Sequence, residues 1–553
     1  MIQSSATITR ADMIRCALCA DAPCDAGCGK GLRPSDLLRR IWFSNEQVAA
    51  LSLPEENPCL TCRAKCEGKC VRPGEVPIRE TINRLYYQVK PECETALPED
   101  EGRLACDLCG IPMENPFMLS SSVVASTYDM CARAFEAGWA GVCFKTICSL
   151  DIREASPRFS AIKGSDGGII GFKNIEQLSD HSVAENMEIF RRLKAKYPRK
   201  VILASIMGKD EAEWAWLAGE CEKNGADAVE LNFSCPNMME DGLGSDIGQV
   251  PELVEKFTAA AKRGCGIPVL AKLTPNVDRM GPAVRAAIRG GADGIAAINT
   301  IKSVVGVNIH TYVTAPAVHG QSAVGGYSGN AVKPIALRFI AEIGQEEAMS
   351  GKNVSAMGSK HISGMGGTEI GQEEAMSGKN VSSMGSKHIS AMGSKHISGM
   401  GGIETWRDAL EFLLLGAGTV QVTTAVMQYG YRIIDDLKAG LNLYLKEKGF
   451  ANVRDVIGLG LDTVSGSTDV LERDTVVFPQ FETEKCIGCG RCFISCMDGG
   501  HQAIRMDEAR RPKLNGAKCV GCHLCVLVCP QGAIAPGAKR ITKTANRGAR
   551  ANP

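Results

Sequence analysis

Residues 226–237 read ADAVELNFSCPN. The run 228–233 is short, apolar and unalternating, the pattern of a strand buried on both faces of a parallel sheet. Polar residues crowd its end: Asn232, Ser234 and Cys235, before Pro236 stops it. An amide, a hydroxyl and a thiol thus gather at the C-terminal end of a strand, where a (β/α)8 barrel keeps its active site. A lone thiol is more often packing than chemistry, so the meaning of Cys235 depends on what the neighbouring strands carry.

Working outward, residues 110–440 alternate short apolar strands with helical segments, the pattern of an α/β fold with a parallel sheet. The strands are PFMLSS, GVCFKT, VILASIM, AVELNFS, VLAKLT, GIAAINT, ISGMGG and TVQVTT. Eight of them predict a closed (β/α)8 TIM barrel. A Rossmann sheet is the alternative, but no GxGxxG opens a helix directly after a strand, so nothing marks an NAD site. Polar residues recur at strand ends: Lys145 and Thr146, Lys272 and Thr274, Asn299 and Thr300, Gly401 and Gly402, Thr423 and Thr424. Any one could be a satisfied core group; their recurrence at the same end of successive strands describes a polar mouth. Gly401, Gly402, Thr423 and Thr424 fall on the last two strands, the usual barrel location for a phosphate.

Residues 344–398 repeat themselves. GQEEAMSGKNVS occurs at 344 and, nearly unchanged, at 371; MGSKHIS occurs at 357, 384 and 392; ISGMGG occurs at 362 and 397. The units are rich in Gly, Ser and Lys and cannot bury enough apolar surface to order themselves. They read as a tandem duplication inside one disordered helix-to-strand loop, away from the chemistry. Only the second ISGMGG precedes a proper helix, ETWRDALEFLLLGA, so it is the expected strand.

The chain has 553 residues, 44% hydrophobic and 22% charged, with zero net charge. That fits several domains with real cores and gives no support for nucleic-acid or anionic-membrane binding. Neither a signal peptide nor a membrane span is visible, and the expected location is cytoplasmic. The 25 cysteines therefore point to metal or catalysis rather than disulfides. Eight lie between residues 16 and 70, as Cys16, Cys19, Cys24 and Cys28, then Cys59, Cys62, Cys66 and Cys70. Eight thiols suit two [4Fe–4S] clusters, with two zinc sites of four cysteines each the weaker reading. Cys106 and Cys109 read as ordinary thiols near a hairpin. Eight more form a doubled C-x2-C-x2-C-x3-C run, Cys486, Cys489, Cys492 and Cys496, then Cys519, Cys522, Cys525 and Cys529. That is a two-cluster ferredoxin module, in which the fourth Cys of each run ligates the other cluster. Cys486, Cys489, Cys492 and Cys529 would hold one, and Cys519, Cys522, Cys525 and Cys496 the other. The expected organisation is a helical iron–sulfur domain over 1–100, the barrel over 101–453, a connector over 454–480, the α+β ferredoxin domain over 481–536 and a basic, disordered tail over 537–553.

The stretches GFKNIEQ, ELNFSCPN, LAKLTPN, GGYSGNAVKPIALRFI, GMGGIETW and VQVTTAVMQYGYRI, followed by the ferredoxin module, resemble the FMN-containing catalytic subunits of bacterial NAD-dependent dihydropyrimidine dehydrogenases. The resemblance spans roughly residues 104–530, apart from the duplicated segment. It implies reduction of the 5,6 double bond of uracil or thymine, with Cys235 protonating the pyrimidine. It also implies that Asn174, Asn232, Ser234, Asn299 and Thr300 meet the substrate. Lys145 and Lys272 would sit against FMN, and Gly329, Gly401, Gly402, Thr423 and Thr424 near its phosphate. Lacking an NAD or FAD fingerprint, the chain would need a partner flavoprotein that binds FAD and oxidises NAD(P)H, in a hetero-oligomer. Dihydroorotate dehydrogenases share the barrel and the NxSCPN element, so a dihydroorotate-type ene-reductase, or an FMN/iron–sulfur electron-transfer subunit, is the alternative. CALCADAPCDAGC resembles the N-terminal cluster domain of single-chain dihydropyrimidine dehydrogenases. That family uses a Gln ligand after a Pro-Ile segment; here Arg84 stands in the comparable place, so a further Cys such as Cys59 would have to replace it. Cysteine order alone does not assign these eight thiols to one cluster or the other.

Overall fold

The computed structural model describes residues 8, 10–99, 102–164, 168–238, 243–346 and 395–542. Eight parallel strands close a barrel in chain order: Phe117–Leu119, Gly141–Ile147, Val201–Ile206, Ala228–Asn232, Val269–Lys272, Gly294–Ala297, His396–Met400 and Thr419–Val422. Each coincides with one of the segments marked above. The second, third, fourth and fifth strands are buried at every position, because helices cover the outer face and side chains fill the inside. Helices such as Glu211–Lys223, Pro251–Gly264 and Gly281–Arg289 supply that cover.

The seventh strand is the second ISGMGG copy. It leads into the helix Trp406–Leu414, which opens on a capping box formed by Thr405 and Asp408. Helix Lys333–Gln345 precedes the strand, so the duplicated segment enters between a helix and a strand. Residues 347–394, with the disorder expected of them, lie outside the described residues.

Sequence reading missed a second sheet. Phe159–Lys163, Ile169–Asn174, Ile301–Ser303 and Gly325–Ser328 form a separate four-stranded antiparallel sheet. The excursion after the second barrel strand supplies two of these strands and the excursion after the sixth supplies the other two. Asn174, Tyr327 and Ser328 from this sheet line the cleft at the strand C-terminal ends, so the sheet roofs the barrel mouth.

The chain divides into two compact units, Met1–Val464 and Ser465–Pro553. Helices Pro34–Trp42, Glu46–Leu51 and Ile78–Arg84 of the thiol-rich region belong to the first unit, and their apolar residues share one core with the barrel. Polar contacts fasten them to it. Arg432 donates to the carbonyls of Leu18 (2.6 Å) and Cys19 (3.3 Å), Asn45 to that of Asp436 (2.9 Å), and the Trp406 indole to that of Ser44 (2.8 Å). The described part of residues 1–100 is helical as expected, but it does not stand apart on a core of its own.

Two boundaries move. The connector expected over 454–480 does not run free, because short helical turns at Val453–Val456 and Leu461–Thr463 belong to the first unit. Thr475–Phe481 is a strand paired antiparallel with Ile534–Thr542. That pairing also takes residues 537–542 out of the expected tail; residues 543–553 lie outside the described set. The hairpin near Cys106 and Cys109 is present, as Cys106–Leu108 paired with Ile111–Met113. Among the described residues, no helix is long and apolar enough to cross a membrane.

Candidate active site

A cleft of about 1120 Å³, part of it open to solvent, occupies the barrel mouth beneath the roof sheet. Twelve of the thirteen cleft residues expected from sequence line it. From the barrel strands and their ends come Lys145, Asn232, Cys235, Lys272, Asn299 and Thr300. Asn174 comes from the roof, and Gly329, Gly401, Gly402, Thr423 and Thr424 surround one end.

Ser234 is the exception. It is fully buried behind the lining. Its hydroxyl donates to Asn232 Oδ1 (2.8 Å) and accepts from Asn299 Nδ2 (2.8 Å). It braces two amides instead of facing a ligand, because the strand ends at Asn232 and alternation no longer sets the direction of residue 234. Asn232 is fixed further by donating to Thr146 Oγ1 (2.9 Å).

Both expected lysines are buried beside carboxylates that sequence reading did not single out. Lys145 Nζ lies 3.3 Å from Glu154 and 3.5 Å from Glu176. Lys272 Nζ lies 3.2 Å from Glu230, which is fully buried, and donates to Ser121 Oγ (2.8 Å). Burial pushes the Glu176 carboxyl up, against the opposing pull of Lys145. Two cations taken out of water need such partners. A Glu inside an apolar strand gives no sequence signal beyond its oddity.

Cys235 is 7% exposed and lies in the loop after the fourth strand. Burial pushes its thiol up to about 11, with the Asn237 backbone N–H and the lysines pulling modestly the other way. The thiol therefore keeps its proton at neutral pH. Asn237, also missed, donates to Asn174 Oδ1 (3.2 Å) and to the Glu176 carbonyl (2.7 Å), leaving its own Oδ1 buried and unpartnered in the cleft wall.

At the glycine end, Gly329, Gly401 and Gly402 all take positive φ, +88°, +124° and +84°. A Cβ at Gly402 would stand 2.9 Å from the Lys333 amide nitrogen and 3.0 Å from the Gly329 carbonyl oxygen. Thr423 and Thr424 open a short helix beside them, with Thr424 hydrogen-bonded to Ser328 (3.0 Å). Backbone N–H groups of such a cradle suit an anion.

The thiols form four quartets. In the second unit, one cavity is lined by Cys486, Cys489, Cys492 and Cys529, and another by Cys496, Cys519, Cys522 and Cys525, the expected pairing. In the first unit, Cys16, Cys19, Cys24 and Cys70 line one cavity. The rest converge around Cys59. Its thiol is pushed up to about 12, first by burial and then by neighbouring Cys62, Cys28 and Cys66. Cys28 and Cys70 have exchanged runs, which the irregular spacing concealed.

Comparison with known proteins agrees with this architecture. The chain matches the family described as dihydroorotate dehydrogenase over residues 103–373 and 349–445, two matches that overlap within the duplicated segment. Residues 480–535 match the 4Fe-4S dicluster domain. The chain is 46% identical over 405 residues to the NAD-dependent dihydropyrimidine dehydrogenase subunit PreA of Escherichia coli (strain K12), covering 73% of this chain and 88% of that protein. It is 34% identical over 397 residues to the chloroplastic dihydropyrimidine dehydrogenase (NADP(+)) of Arabidopsis thaliana, covering 70% and 84%. It is 34% identical over 363 residues to the catalytic subunit of dihydroorotate dehydrogenase B (NAD(+)) of Pyrococcus horikoshii, covering 65% and 98%. The chain belongs to the dihydroorotate dehydrogenase family and carries a C-terminal 4Fe-4S dicluster domain.

Proposed function

We propose that this chain is the catalytic subunit of a dihydropyrimidine dehydrogenase, an iron–sulfur flavoprotein that reduces the 5,6 double bond of uracil or thymine. The observation that carries the reading is Cys235, a buried thiol that keeps its proton at the mouth of the barrel, among amides that complement a pyrimidine ring.

The cleft fits FMN. The glycine cradle at Gly329, Gly401 and Gly402, with Thr423 and Thr424, would hold the phosphate, and Lys145 and Lys272 would lie against the ring. The unpartnered acceptors of the wall, Asn237 Oδ1 and Gln177 Oε1, call for a ligand that brings N–H or O–H donors. When bound, FMN supplies the hydride chemistry that side chains lack. The chain's own part is binding and proton transfer. Asn174, Asn232, Asn299 and Thr300 would orient the pyrimidine, since an Asn amide both donates and accepts as the ring's carbonyls and N–H groups require. Ser234 holds two of those amides in register. Cys235 Sγ would give its proton to C5 as C6 is reduced.

Electrons would reach the cleft through the clusters. The C-terminal quartets would hold two [4Fe–4S] clusters, and the quartets of Cys16, Cys19, Cys24, Cys70 and of Cys28, Cys59, Cys62, Cys66 two more. Four thiols lining one cavity match the four thiolates that a [4Fe–4S] cluster takes. With no dinucleotide fingerprint, the electrons would come from NAD(P)H through a partner flavoprotein.

Cys235→Ser tests the reading, because a hydroxyl keeps the size but is a far poorer acid. Single-turnover oxidation of the reduced protein by uracil should slow by ~10²–10⁴-fold, with flavin and iron content unchanged. A ratio near one would remove Cys235 from the reaction, and faster turnover with orotate than with uracil or thymine would move the substrate to the dihydroorotate class.

A further inference from the structure

The floor of the cleft carries a group that the reading above does not use. Gln421, on the eighth strand, is 1% exposed and lines the cleft. Its amide nitrogen is committed twice, donating to Glu230 Oε2 (3.2 Å) and to Ser398 Oγ (3.1 Å). Its carbonyl oxygen is buried and unpartnered. The orientation of the amide is not free. Turned over, it would set an oxygen against the Glu230 carboxylate, acceptor facing acceptor. Glu230 cannot turn away either, because Lys272 (3.2 Å) and Ser121 (3.1 Å) hold its other oxygen.

A buried acceptor held open in this way is costly unless a ligand donates to it. Gln421 lies two residues before Thr423, on the strand that leads into the phosphate cradle. Asn174 and Asn237 line the cleft from the roof and from the loop after the fourth strand. The floor position matches the cofactor rather than the substrate, and an oxidised flavin ring has a single N–H donor, at N3.

We propose that Gln421 is a flavin-positioning residue, its Oε1 accepting the N3–H of bound FMN, with the Glu230–Lys272 pair fixing the amide for that bond. The inference rests on the cleft being an FMN site.

The test compares FMN with 3-methyl-FMN, which lacks that hydrogen, on the full chain stripped of flavin and titrated anaerobically. The wild-type protein should bind FMN roughly tenfold or more tighter than the methylated form, the effect expected for losing the donor to a buried acceptor. Gln421→Ala should weaken FMN binding and abolish the preference, because residue 421 no longer meets N3. Gln421→Glu, whose protonated carboxyl can donate to Glu230 and still present an oxygen, should retain it. Equal wild-type affinity for the two flavins would overturn the proposal without any variant having to fold. So would a preference that survives in Gln421→Ala. Failure to bind either flavin would instead overturn the FMN reading on which it stands.

Discussion

In the C-terminal unit, Cys496 and Cys529 change places between two runs of identical spacing. Near the N-terminus, Cys28 and Cys70 do the same between runs spaced x2, x4, x3 and x2, x3, x3. The arrangement of thiols is alike, but what stands behind them is not. Among the described residues, the packed apolar cluster of the C-terminal unit is small: Cys492, Ile504, Cys525 and Ile534, half of it expected cluster ligands. The cavity of Cys16, Cys19, Cys24 and Cys70 is also lined by Leu38, Val76 and Ile78, part of a core continuous with the barrel. The difference teaches where each module finds its folding energy. One would depend on its clusters, since ligand binding there is folding free energy; the other can lean on the barrel.

The largest effect that could break this contrast is iron removal. Anaerobic chelation should abolish hydrogen-exchange protection across Thr475–Phe481 and Ile534–Thr542 while leaving Pro34–Trp42 and Glu46–Leu51 protected. Equal loss in both modules would show that the N-terminal helices also need metal.

The exchange of ligands comes next in size. Cys28→Ala and Cys59→Ala should erase the same low-temperature EPR signal, and Cys16→Ala and Cys70→Ala a different one. Each would lower iron by about four of about sixteen per chain. If Cys28→Ala groups with Cys16→Ala, the runs are not exchanged.

A smaller effect sharpens the idea that the barrel supports the N-terminal module. Arg432→Ala removes the bonds to the Leu18 and Cys19 carbonyls. It should destabilise the first unit by ~1–3 kcal/mol in denaturant titration, with the C-terminal unit unmoved. No shift in the first transition would make this contact incidental.

The smallest effect contrasts the sixteen thiols that would lose their protons as cluster ligands with the one proposed to keep it. The Cys235 pKa of about 11 lies above the unfolded value. Its neutral form therefore favours the folded state below the unfolded pKa, and that contribution is lost as pH rises through about 11. The same sign applies to its acid role. Single-turnover pyrimidine reduction should show no Cys235 titration up to roughly pH 9, above the reference thiol value of ~8.5. A loss of rate centred near that reference value would place the thiol in a water-like environment.

All eight barrel strands were legible because burial on both faces leaves unbroken apolar runs, and the ferredoxin pairing because its spacing is regular. The roof was not. Phe159–Lys163 is only half buried and carries no apolar run. Glu230 and Gln421 were hidden for a related reason: a polar residue inside a strand reveals its partner only when strands distant in sequence are brought together. Ser234 was legible as a site residue but not in its direction, since alternation lapses where the strand ends. The N-terminal pairing needed the fold, because eight thiols in irregular order admit many groupings.

The roof has a consequence for how such a protein can change over time. Its four strands pair with one another and form a sheet separate from the barrel's. Mutation and insertion can therefore reshape the surface that looks down on the ligand while the eight strands keep their register. Lineages that share this barrel have room to diverge in what they accept by remodelling two excursions, one after the second strand and one after the sixth, with the floor inherited intact.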